Sequence, residues 1–86
     1  MIKLERQLKA VANKRRLAIL AFLKKKKVAS VGAVAENIKL SFTSTSKHLL
    51  ILSAAEILEK EQVSLQMFYK ITNLQVPVIK YLISVL

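Results

Sequence analysis

Residues 17–23 read LAILAFL, seven consecutive apolar side chains with Lys14, Arg15 and Arg16 before them and Lys24 to Lys27 after. A helix through this run is apolar on every face, and such a helix belongs in the middle of a core with other elements packed around it. The rest of the chain must then supply short amphipathic pieces that wrap it. A chain of 86 residues has material for one such core and not for two. Residues 1–86 therefore read as a single domain.

Local signals divide the chain cleanly. Leu4, Leu8 and Val11 recur at i, i+4 and i+7, which predicts a first helix over 2–12. Asn13 is placed to cap the central helix, predicted over 14–26. The cations of Lys24–Lys27 suit the negative end of its dipole. Val28-Ala29 reads as a very short strand. Ser30 caps a third helix over 31–38, with Val31, Val34 and Ile38 inward, and Lys39-Leu40 forms a turn. Ser41 caps a fourth helix over 42–55, with Leu49 and Leu52 inward and Thr45 one turn earlier. The pattern then alternates: Ile57–Glu61 and Leu65–Ile71 read as two antiparallel strands with a turn near Gln62–Ser64. Of Phe68 and Tyr69, which alternate on the second strand, one is expected in the core. Pro77 opens a last helix within 76–86.

Composition excludes many activities. The chain has no Cys, one His and one Gly. That removes disulfides, zinc fingers, iron–sulfur ligation, a thiol nucleophile and glycine-rich phosphate loops. Five scattered carboxylates and a single His offer no acid–base pair at a telling spacing, so an enzyme is not expected. Neither a metal nor any other cofactor is expected. The longest stretch without a charge, Ile71–Ile79, is nine residues. A membrane span needs about twenty, and the first ten residues lack the apolar core of a secretory signal. The expectation is a cytoplasmic protein without a membrane partner.

The net charge of +10 is unevenly placed. Residues 1–50 carry twelve of the fifteen basic and two of the five acidic side chains, and residues 51–86 are neutral. A field this lopsided points to a polyanion, with nucleic acid first and an anionic membrane surface second. Two short helices, a tight turn and a hairpin form a winged helix-turn-helix: mainly α with a small β-hairpin, about five helices plus a two-stranded wing. The outward N-terminal part of the fourth helix offers Thr43, Ser44, Ser46 and Lys47. Short hydroxyls, a cation and the free N–H groups of a helix N-terminus suit phosphates and base edges.

LKAVANKRRLAILAFL (8–23) followed by LSFTSTSKHLLIL (40–52) resembles the ArsR family of winged-helix transcriptional repressors, over roughly residues 8–72. The resemblance implies a homodimer paired through its first and last helices, with the fourth helix in the major groove of double-stranded DNA and the hairpin at the flanking backbone. Matched by position, Ser41, Thr43, Ser44, Ser46, Lys47 and His48 fall in the DNA-reading segment, with Lys39 just before it and Lys60 and Lys70 on the wing. The family's metal sensors carry Cys pairs on the helix matching 31–38, or His and acidic ligands on the last helix; this chain has no Cys on the first and no His or carboxylate on the second. Lys39 and Glu56 stand where the family commonly has Gly, so either those turns differ or left-handed strain is tolerated. Phe42 and Leu50 take outward positions that are usually polar. Phe42 suits contact with a thymine methyl, whereas Leu50 points to protein contact or altered readout.

The terminal helices hold more apolar surface than so small an interior absorbs. Leu4, Leu8, Val11, Ile79, Leu82, Ile83 and Leu86 are therefore expected at a dimer interface. The competing reading is a winged-helix module that binds protein and has little affinity for DNA. Exposure of both Phe42 and Leu50 beside Lys47 is the observation that would favour it.

Overall fold

The computed structural model describes residues 2–86. Among them, five helices and three strands follow in the order α1 (Ile2–Val11), α2 (Lys14–Lys26), β1 (Val28–Ser30), α3 (Val31–Ile38), α4 (Phe42–Ala54), β2 (Leu58–Val63), β3 (Gln66–Ile71) and α5 (Pro77–Ser84). The capping residues act as their positions predict. Asn13 Oδ1 accepts from the N–H groups of Arg15 and Arg16 at 2.9 and 3.1 Å. Ser30 Oγ accepts from Ala33 N, and Ser41 Oγ from Ser44 N, each at 3.1 Å. Each satisfies a backbone donor that the helix start leaves free.

The central helix α2 contributes Ile19, Leu20 and Leu23 to the core, with Leu17 and Phe22 packed partly buried around them. Val34 of α3, Leu49 and Leu52 of α4, Ile57, Leu58 and Tyr69 close over it. Tyr69 is therefore the inward member of the Phe68-Tyr69 pair, and Phe68 is half-buried.

The wing belongs to a three-stranded antiparallel sheet in the order β1-β3-β2. β1 pairs Val28 with Lys70 and Ser30 with Phe68, so β3 has a partner on each side. The hairpin is longer and its turn later than the sequence suggests. Val63 pairs with Gln66, which leaves Ser64-Leu65 as a two-residue turn. Ser64 takes the positive φ (60°) such a turn demands, without the Gly or Asn that usually marks it.

α1 is rotated relative to its apparent stripe. Gln7, Ala10 and Val11 are buried and Leu4 is half-buried, whereas Leu8 is 42% exposed. Gln7 explains the rotation: its Nε2 donates to the Ala55 carbonyl at 3.0 Å, fastening α1 to the end of α4. α5 carries apolar side chains on two faces. Ile79 and Ile83 enter the core and Leu82 packs half-buried against it. Val78, Tyr81 and Val85 point out, with Tyr81 70% exposed.

The apolar set expected at a dimer contact is thus divided. Val11, Ile79 and Ile83 are covered by the protomer's own core, while Leu8 and Leu86 remain exposed. The physical reason is that each terminal helix needs an inward face to pack on α2 or α4, and these residues provide it. Lys24 Nζ also donates to the Ser84 carbonyl at 2.8 Å, tying the end of α2 to the end of α5. Among the described residues, no helix is long and apolar enough to cross a membrane.

Candidate nucleic-acid interface

α3, the Lys39-Leu40 turn and α4 set up the candidate surface. Lys39 adopts the left-handed conformation (φ 56°, ψ 53°), and Leu40 N–H reaches back to the Ala35 carbonyl at 3.1 Å. This six-to-one bond closes α3 and turns the chain sharply into α4. The far end of α4 closes in the same way. Glu56 has φ 65°, Ile57 N–H bonds Leu52 O at 3.0 Å, and Glu56 N–H bonds Ser53 O at 2.9 Å. Both positions keep the backbone conformation that Gly favours while carrying a side chain.

α4 divides its residues by direction. Thr45, Leu49 and Leu52 are fully buried and anchor the helix. Thr43 and Lys47 are exposed, Ser44, Ser46 and His48 are half-buried, and Ser41 stands exposed at the cap. The Ser41 hydroxyl oxygen is engaged by Ser44 N–H, and its own hydrogen remains available to donate. Phe42 and Leu50 are 61% and 46% exposed.

Toward α2, His48 meets Arg16, whose Nη1 donates to His48 Nδ1 at 3.1 Å. A guanidinium has no acceptor, so Nδ1 is the bare ring nitrogen and the proton sits on Nε2. Burial holds the His48 pKa below its ordinary 6.5, and the charges of Arg16 and Arg15 push it the same way. The imidazole is therefore a neutral Nε2–H donor at the edge of the helix. Arg16 Nε also donates to the Ala10 carbonyl, so this one side chain joins the end of α1, the start of α2 and the middle of α4. The sequence offered no signal for that joint, because Arg16 and His48 lie 32 residues apart.

Toward the wing, Phe42, Ser46 and Leu50 share a face at i, i+4 and i+8. They line a groove of about 340 Å³ whose opposite wall is Lys60, Leu65 and Met67 and whose floor includes Tyr69. Lys60 pairs with Tyr69 across the hairpin, so it stands on the helix-facing side. Lys70 pairs with Glu59 on the opposite side, where the two form an ion pair at 3.6 Å. Of the two wing lysines singled out from sequence, one borders the α4 groove and the other is turned away from it by the period of two along a strand. Lys39 is exposed beside the cap of α4. Among the described residues, no three His, Cys, Asp or Glu side chains gather as a metal site would require.

The geometry has clear counterparts among solved structures. HlyU from Vibrio cholerae is 30% identical and superposes with a TM-score of 0.81 over 98% of this chain and 87% of its own. The transcriptional repressor PagR of Bacillus anthracis is 26% identical, with a TM-score of 0.80 over 96% of this chain and 91% of its own. Mb0332 from Mycobacterium bovis is described as a homodimeric winged helix-turn-helix DNA-binding domain and a possible ArsR-family regulator. It is 26% identical, with a TM-score of 0.80 over 96% of this chain and 73% of its own. No protein-family model matches the chain, and neither does any curated protein sequence.

Proposed function

The chain belongs to the ArsR-type winged-helix transcriptional regulators, and from that premise we propose that it binds double-stranded DNA sequence-specifically as a homodimer, repressing transcription where it is bound. The family is a non-enzymatic one. α4 enters the major groove and the wing lies along the flanking backbone. The observation that carries this reading is the state of α4: a capped N-terminus with Thr43 and Lys47 free in solvent, on the half of the chain that holds the entire +10 charge. The Ser41 hydroxyl and His48 Nε2–H supply further neutral donors to phosphate, and Lys39 and Lys60 flank the helix. Mb0332 is described as homodimeric. The exposed side chains Leu8, Val78, Tyr81 and Val85 on α1 and α5 are the apolar surface that a second copy would cover. Two copies of α4 would then read half-sites about 34 Å apart.

Lysine-driven binding releases counterions, so affinity should fall steeply as salt rises. The test is a titration of duplex DNA at several salt concentrations with the wild type and Lys47→Ala. The expected result is weaker binding by the variant and a log–log salt slope smaller by about one. Equal affinity of the two proteins, or no duplex binding by either, overturns the proposal.

One observation favours the second reading, a protein-docking module: Phe42 and Leu50 are both exposed and line one groove. A stoichiometric protein partner, together with negligible and salt-insensitive DNA binding, would decide for it.

A further inference from the structure

We propose that the groove between α4 and the wing reads thymine methyl groups, so that this protein selects its DNA sites partly by apolar contact; the inference rests on the DNA-binding reading above. Phe42, Leu50 and Leu65 are 61%, 46% and 95% exposed, and all three line the same groove of about 340 Å³. Large apolar side chains gathered in water mark a surface that is covered when it works. The occupant has to satisfy two conditions together. It must be polyanionic, because Lys60 lines the groove and α4 begins in the half of the chain that carries the whole +10 charge. It must also offer apolar groups small enough to meet isolated side chains on a helix face. Duplex DNA meets both, since the only apolar group on the major-groove edges of the bases is the C5 methyl of thymine.

The wing supports the same conclusion. Glu59 and Glu61 cancel Lys60 and Lys70, and Lys70 is already paired with Glu59 at 3.6 Å. The Ser64-Leu65 turn carries no cation, and Leu65 is almost wholly in solvent. A hairpin that is neutral overall adds little to counterion release beyond Lys60. Its Leu65 side chain lines the same groove as Phe42 and Leu50. On α4 itself the division of labour follows the helix faces. Thr43 and Lys47 supply the polar, sequence-tolerant contacts, and the Phe42–Ser46–Leu50 face supplies discrimination.

The test uses duplexes selected by the full chain from random DNA, each compared with the same duplex in which every thymine is replaced by deoxyuridine. Base pairing and charge are unchanged and only the methyl groups are lost. Wild-type affinity should drop by about fourfold for each contacted methyl, the value of one buried methyl group in water-to-apolar transfer. Phe42→Ala and Leu50→Ala should each narrow the difference between the two duplexes, and the double variant should bind them nearly alike, while the wild-type salt slope is kept. Both side chains are exposed and outside the core, and a thermal melt of each variant checks its folding. Equal affinity of the wild type for thymine and uracil duplexes overturns this inference and leaves DNA binding standing. Absence of duplex binding overturns both. Capture of an apolar peptide in the groove, blocked by Phe42→Ala and not competed by DNA, assigns the surface to protein and overturns it as well.

Discussion

His48 is the only histidine in the chain, so stability between about pH 7.5 and 5.5 reports on it almost alone. Its pKa in the fold lies below the 6.5 of the unfolded chain, chiefly through burial and then through Arg16 and Arg15. The unfolded state therefore binds the proton more readily, and stability is lost as pH falls from 6.5 toward the lower folded value. Protonation also removes the acceptor that Nδ1 offers to Arg16. The expected outcome is a melting temperature that declines through this window for the wild type and stays flat for His48→Gln. A wild-type midpoint that does not move would mean that His48 is not held partly buried beside Arg16 in solution. The buried hydrogen bond from Gln7 to Ala55 is uncharged and contributes no slope.

At the scale of elements, the two tight helix ends run against residue preference. Lys39 and Glu56 sit at φ 56° and 65° with the backbone bonding of a glycine-terminated helix. A side chain there costs about 1–2 kcal/mol, and Gly would return part of it while losing about 0.5–1 kcal/mol of chain entropy in the unfolded state. Lys39→Gly should therefore raise stability modestly, by up to about 1 kcal/mol, read from the urea midpoint with the slope unchanged. A loss of stability would show that the Lys39 side chain contributes more than its backbone strain removes. The same elements show what is legible locally. Asn13, Ser30, Ser41 and Pro77 mark four helix starts by position and side-chain chemistry alone, and all four helices begin where they indicate. The hairpin turn lacks such a marker, and its placement fell short by about two residues. Ser64-Leu65 is made to turn by the pairing of β2 with β3, which no local signal announces.

For the whole molecule, the deciding fact is that α5 has two apolar faces and the core takes only one. Ile79 and Ile83 are used inside, which leaves Val78, Tyr81 and Val85 in water. A second copy of the chain covering them should appear in light scattering as twice 9.7 kDa. Tyr81→Glu should shift the equilibrium to monomer while leaving the protomer folded, because the side chain is 70% exposed. A wild type that stays monomeric at micromolar concentration refutes this assembly.

The helices, the basic first half and the winged helix-turn-helix were legible in the sequence, which also singled out residues 41–48 as the segment proposed to read DNA. Each of these rests on interactions within a few residues, or on charge, which needs no geometry to count. The folded chain was needed to see which stripe of α1 and of α5 turns inward, that β1 completes the sheet, that Lys60 and Lys70 stand on opposite faces, and that Arg16 holds His48. Those are contacts between residues distant in sequence, where helix rotation and strand register select the partner. An apolar residue such as Ile79 and one such as Tyr81 remain equivalent until packing against α2 separates them.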